Sequence, residues 1–127
     1  MFVIKEDKSI HLTRGDVANI VVTANLQDGS EYTFLPGDLM RFRVLKKNDH
    51  NSVELQKDIS VENETTSINV SLTKDDTKLG EIINKPVDYW YEIELNPETE
   101  PQTIVGYDED GPKIFKLYPE GSDVDEQ

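Results

Sequence analysis

The residues able to do chemistry are few and scattered. The chain has two histidines, His11 and His50, and no cysteine. His11 lies between Ile10 and Leu12, so strand alternation turns its ring toward solvent, and His50 lies in the polar run Asp49-His50-Asn51. General-base catalysis needs a positioned partner. No serine stands in a recognisable nucleophile motif beside either histidine. The missing cysteine excludes a thiol nucleophile, a disulfide framework and a zinc–thiolate centre. No glycine-rich phosphate loop of P-loop or dinucleotide type is present. We therefore expect no catalytic residue, no cofactor and no enzyme.

Carboxylates are the abundant functional group, with 26 Asp and Glu against 13 Lys and Arg. A pair at glycosidase spacing can arise by folding in any acidic chain, so abundance alone reads as a solvated surface. Asp108-Glu109-Asp110-Gly111 and Asp75-Asp76 offer hard oxygen ligands of the kind calcium takes. The first run lacks the spaced ligands and distal Glu of an EF-hand loop, and Asp110-Gly111 is explained as a turn, so no metal site is expected. Trp90 stands apart. With Tyr89 and Tyr91 turned to a core, Trp90 faces the other way beside Asp88, Glu92 and Glu94. An outward indole is a candidate interface anchor or sugar platform, unless a neighbouring loop or the tail covers it.

The net charge of −13 repels nucleic-acid phosphates and anionic membrane surfaces. It suits a basic partner, a cation or a neutral glycan. A chain of 127 residues is one domain, able to bury about two thirds of its unfolded surface without a metal or disulfide. The start, Met1-Phe2-Val3-Ile4-Lys5-Glu6-Asp7, lacks the pattern of a signal peptide, and no run has the length of a membrane span. Cytoplasmic synthesis is the expectation, and the triplets Asn63-Glu64-Thr65 and Asn69-Val70-Ser71 then match a glycosylation pattern by chance.

The elements that must carry these residues are short apolar runs cut by turns, the rhythm of a sandwich or barrel. Ile10 and Leu12 alternate with polar residues, and Ile20, Val22 and Ala24 share a face. Asp28-Gly29 predicts a hairpin with a return run over Glu31 to Leu35, bringing Tyr32 and Phe34 together. Pro36-Gly37 has the order of a type II turn. Met40, Phe42 and Val44 alternate with Arg41 and Arg43, and Val53 to Val61 predicts one long strand or two short ones. Ile68, Val70 and Leu72 follow. Thr73-Lys74-Asp75-Asp76 resembles a capping box for one or two helical turns, with Gly80 as a C-cap. Val87, Tyr89, Tyr91, Ile93 and Leu95 form the strongest alternation, ended by Asn96-Pro97. Thr103 to Tyr107 and Lys113 to Tyr118 flank Asp110-Gly111 as a second expected hairpin. The reading is an all-β fold: a two-sheet antiparallel sandwich of about eight strands with one short helical turn. It places a single domain over residues 1–118 and an acidic flexible tail over 119–127.

The order of motifs carries a resemblance. Gly15-Asp16-Val17-Ala18-Asn19-Ile20 leads to Asp28-Gly29-Ser30-Glu31-Tyr32, then to Leu35-Pro36-Gly37-Asp38-Leu39-Met40-Arg41-Phe42-Arg43-Val44. Leu72-Thr73-Lys74-Asp75-Asp76-Thr77, Tyr89-Trp90-Tyr91-Glu92-Ile93-Glu94-Leu95, Gln102-Thr103-Ile104-Val105 and Ile114-Phe115-Lys116-Leu117 follow. Over about residues 8–118 this resembles the immunoglobulin-like β-sandwich domain of tail and baseplate proteins of phages and prophages of Gram-positive bacteria. It is similar in particular to the N-terminal domain of baseplate upper proteins. The departures are a longer Gly80-to-Pro86 segment and an end where such a protein would continue into a stalk. The resemblance implies a structural protein of a virion, assembled in the cytoplasm of a bacterial host. Its partners would be other baseplate proteins or further copies of itself, with no nucleic acid and no membrane. A carbohydrate- or host-surface-binding module using Trp90 is the alternative.

Overall fold

The structure, a computed structural model, describes residues 2–4, 8–26, 28–80, 84–109 and 111–120, excluding the side chains of residues 2–4 and His50. The described residues form nine strands and no helix. These are β1 (Phe2–Ile4), β2 (Ile10–Thr13), β3 (Ala18–Val22), β4 (Leu39–Lys46), β5 (Asp49–Ser60), β6 (Ile68–Leu72), β7 (Val87–Leu95), β8 (Gln102–Val105) and β9 (Lys113–Tyr118). Seven of them make one sheet in the order β1-β2-β9-β7-β4-β5, with β8 also on β7, and β3 and β6 make the other. Order β9-β7-β4-β5 opposite β3-β6 is the G-F-C-C′ against B-E arrangement of an immunoglobulin-like sandwich. Pairing is antiparallel throughout except that β2 runs parallel to β9. Nearly the whole chain separates those two strands, so no tight turn dictates their direction.

Alternation fills the core. Met40, Phe42 and Val44 from β4, Tyr89, Tyr91, Ile93 and Leu95 from β7, Phe115 and Leu117 from β9, and Ile10 and Leu12 from β2 face Ala18, Ile20, Val22, Ile68, Val70 and Leu72 of the small sheet. Phe42 sits at the centre, its ring 5.8 Å from Tyr91 and 6.4 Å from Phe115. Each fully buried side chain of this size contributes about 1.5–3 kcal/mol of transfer free energy.

Local chemistry sets the turns. Leu35 O accepts from Asp38 N at 3.0 Å around Pro36-Gly37, and Gly37 has φ +99°, the expected type II turn. Thr73 and Asp76 cap each other, Asp76 Oδ2 accepting from Thr73 N and Thr73 Oγ1 accepting from Asp76 N. Thr77 N donates to Thr73 O, but only this one turn forms. With so few apolar residues to pack, the cost of helix nucleation is not recovered.

Three expectations are refined. The return run Glu31 to Leu35 is not a strand. It touches its neighbours through isolated bridges, Asn25 with Glu31 and Phe34 with Thr65. Tyr32 and Phe34 still meet edge to face at 5.1 Å. At Asp28-Gly29 only the glycine takes positive φ. Leu26 O accepts from Gly29 N and Leu26 N donates to Ser30 O, a longer loop than the two-residue hairpin. The second expected hairpin is absent as well. Asp108 and Gly111 pair tightly, yet β8 and β9 do not pair with each other. Both run antiparallel to β7, β9 against Val87–Tyr91 and β8 against Ile93–Leu95. They are one strand interrupted by an excursion over residues 106–112. Pro119 and Glu120, at the start of the expected tail, are half-buried, with Glu120 3.7 Å from Arg14. The rest of that tail lies outside the described residues.

Candidate functional site

The outer face of the large sheet carries the sequence's candidate anchor. Tyr89 and Tyr91 are buried in the core, so Trp90 between them points away from it, as alternation requires. Its cross-strand partners are Leu45 on β4 and Ile114 on β9, and Leu45 in turn pairs with Val53 on β5. Four apolar residues therefore form a row across four strands on the solvent side. Leu45 is 1% exposed yet lies outside the core cluster. The indole of Trp90 is the large side chain positioned to cover it. Irregular register at Val44/Leu45 and Leu45/Lys46 marks a bulge here, and bulges re-aim side chains at sheet edges.

Trp90 is half-buried, and Tyr107 stands against it. Their ring centroids are 5.9 Å apart with planes at 71°, an edge-to-face pair. Tyr107 comes from the 106–112 excursion and is itself 64% exposed. The interruption between β8 and β9 thus supplies a second aromatic to the anchor. Sequence reading missed Tyr107 because a hairpin and an excursion use the same Asp-Gly turn, and only the pairing of β8 with β7 reveals which forms.

Beside the apolar row the face is ionic. Arg43 Nη2 donates to Glu92 at 2.6 Å and to Glu94 at 2.7 Å. Arg41 makes a two-pronged contact with Asp58 at 2.9 and 3.1 Å and reaches Glu98 at 3.1 Å. Each arginine is shared by two carboxylates. The Arg41 hydrogen bonds hold the Asp58 carboxyl below its ordinary range, and those from Asp58 and Glu98 raise the Arg41 guanidinium further. Asp88, the third expected carboxylate, lies 3.7 Å from Lys116. Arg43 Nε is buried with no hydrogen-bond partner.

The other sequence candidates resolve differently. His11 does not point freely to solvent. Its Nε2 is 3.0 Å from Ser9 Oγ and its Nδ1 3.0 Å from the Tyr118 hydroxyl, one nitrogen donating and the other accepting in the neutral ring. That chain ties β2 to the end of β9. Ser9 is itself buried, at 6% exposed. Of the oxygen-rich runs, Asp76 is engaged by Thr73 N and Lys57, and Asp108 by Lys113. No group of three or more metal-ligating side chains occurs among the described residues. No helix among them is long and apolar enough to cross a membrane. A groove of about 380 Å³ opens elsewhere, between the loop after β3 and β8, lined by Lys8, Ala24, Tyr32, Leu95 and Ile104 among others. No family model, curated protein or solved structure matches the chain.

Proposed function

We propose that the chain is a non-catalytic assembly protein acting through protein–protein contacts, with the outer face around Trp90 as its docking surface. The observation that carries this reading is the Trp90–Tyr107 pair on the wet side of a sandwich, flanked by ionic clusters. An aromatic centre with a polar rim is the anatomy of a protein interface. The resemblance read in the sequence gives the setting: a tail or baseplate part of a phage or prophage, carried in the virion. Purified particles from an induced producing strain test it, by immunoblot and immunogold labelling. The chain should co-purify with tails at a fixed stoichiometry, and its absence from intact particles would overturn the reading.

One observation favours a second reading. Tyr107 sets a second aromatic against Trp90, and paired aromatics with nearby carboxylates also suit a sugar ring. A glycan array separates the two. A saturable glycan signal lost in Tyr107→Ala supports a carbohydrate module.

A further inference from the structure

We propose that the seam between β8 and the end of β3 receives an extended, acidic segment of a partner protein, which adds to the edge of β8 as a further strand. This docking site is separate from the Trp90 face and stands on its own observations.

The first observation is an uncovered edge. β2 covers β9 from Phe115 to Tyr118. Among the described residues, however, β8 pairs with β7 alone and β3 with β6 alone. The other edge of β8 therefore has no strand partner among them, and an extended peptide supplies one. Exposed edges are commonly blunted by charge or proline. β8, Gln102-Thr103-Ile104-Val105, contains neither. The second observation is the groove beside that edge. The depression of about 380 Å³ has Ala24, Tyr32, Leu95, Ile104 and Val105 in its wall. It adjoins a second of about 120 Å³, with which it shares Lys8, Thr23 and Val105. Ala24, Tyr32, Ile104 and Val105 are partly buried against the core. A strand laid here turns alternate side chains inward onto an apolar floor.

The third observation is charge, and it selects the occupant. The chain carries 26 acidic residues. Yet among the described residues lining either depression, Lys8 alone is charged. Lys8 is exposed, and its ammonium makes no ion pair or hydrogen bond among the described residues. It also has φ +68°, a left-handed conformation that side-chain-bearing residues avoid. The Tyr91 hydroxyl donates to its carbonyl and ties it in place. Backbone held in such a region points to a functional position. The lysine is thus stationed at the groove mouth to meet a carboxylate. A second copy of this chain brings its own Lys8 to the seam, and no described acid in the lining answers it. A neutral segment leaves the lysine unpaired.

The probes are short acetylated and amidated peptides, threonine alternating with valine, isoleucine, leucine or phenylalanine, each carrying one glutamate. They are titrated calorimetrically into the full chain. Controls replace the glutamate by lysine, or a central threonine by proline, which cannot donate to a ladder. At least one glutamate peptide should bind saturably and slow amide hydrogen exchange over Gln102–Val105. Lys8→Gln, at an exposed position, should weaken binding about two- to fivefold, the span of an exposed ion pair. Thr23→Glu, also exposed, sets an acid in both depressions and should abolish binding. Lys74→Gln makes the same charge change outside the groove and should leave binding unchanged. The proposal is overturned if no glutamate peptide binds, if the lysine or proline version binds as well, or if exchange over Gln102–Val105 is unaltered. It is equally overturned if Lys8→Gln binds like the parent, or if Lys74→Gln weakens binding as much. Self-association of the chain alone, lost in Thr23→Glu, would give the groove to a second copy and sink the acidic partner. Presence of the chain in particles bears on the assembly role and not on this groove, so the two readings fail separately.

Discussion

Asp38 is the residue whose replacement tests the folding argument most directly. It follows the type II turn and joins three segments through one carboxylate. Oδ2 accepts from the Tyr32 hydroxyl at 2.9 Å and from Leu35 N at 3.0 Å, and Oδ1 accepts from Asn96 Nδ2 at 3.1 Å. Burial works against its charge, yet the bonds from Leu35, Asn96 and Tyr32 prevail and hold its pKa below the ordinary 3.8. Hydrogen bonds to a charged group are worth about 1.5–3 kcal/mol when buried. Asp38 is half-buried, so solvent screening reduces each to about 1 kcal/mol. Asp38→Ala should therefore lose about 3 kcal/mol, or roughly 10 °C of melting temperature for a chain of this size. Asp38→Asn retains one acceptor oxygen and should lose about half as much. The charge contribution carries its own signature. A lowered folded pKa stabilises above the ordinary value and is lost as pH falls through the folded value. The gap between parent and Asp38→Asn should thus narrow as urea melts are repeated from pH 7 down to about pH 2. A loss below about 1 kcal/mol for Asp38→Ala, or a gap independent of pH, would refute the reasoning.

Other outcomes follow from the same structure. Gly37→Ala should cost about 1–2 kcal/mol in a denaturant melt, all of it from the backbone, because a Cβ there meets nothing within 4 Å. Asp58 and Asp76 share the lowered pKa of Asp38, Asp58 through Arg41 and Asp76 through Thr73 and Lys57 against burial. The chain should accordingly lose stability once pH drops below their ordinary 3.8, and a melting temperature unchanged from pH 6 to pH 2.5 would contradict this. Removing the Tyr107 ring should shift the Trp90 emission to longer wavelength, since the indole then meets more water; an unshifted maximum means that the two rings do not meet in solution. Lys57 shares the core-facing side of β5 with its cross-strand partner Phe42 and pairs with Asp76 at 2.9 Å. Lys57→Ile should change stability by less than about 1 kcal/mol but raise aggregation by light scattering, because an inward charge blunts the edge strand.

Features encoded within a few residues were legible in the sequence. The alternation of β4 and β7, the Pro36-Gly37 turn, the Thr73–Asp76 cap and the outward aim of Trp90 all follow from spacing. What escaped was set by partners distant in the chain. His11 finds Tyr118 107 residues away, across a parallel pairing that no turn announces. Leu45 reads as a wet-face residue by alternation but is buried, because a bulge and Trp90 enclose it. The collinear β8 and β9 depend on which edge of β7 each takes, information that Asp110-Gly111 does not contain.

The interrupted strand has a consequence for how this protein can change. Residues 106–112 leave the sheet and return to it at neighbouring positions along β7, so their length is uncoupled from the register on either side. Insertions there add loop-closure entropy that grows only slowly with length, while the core residues of β7 and β9 keep their partners. That stretch is a natural graft point. A new sequence spliced into it would be displayed beside a fixed tryptophan, so recognition could diversify at a single locus while the sandwich stays constant.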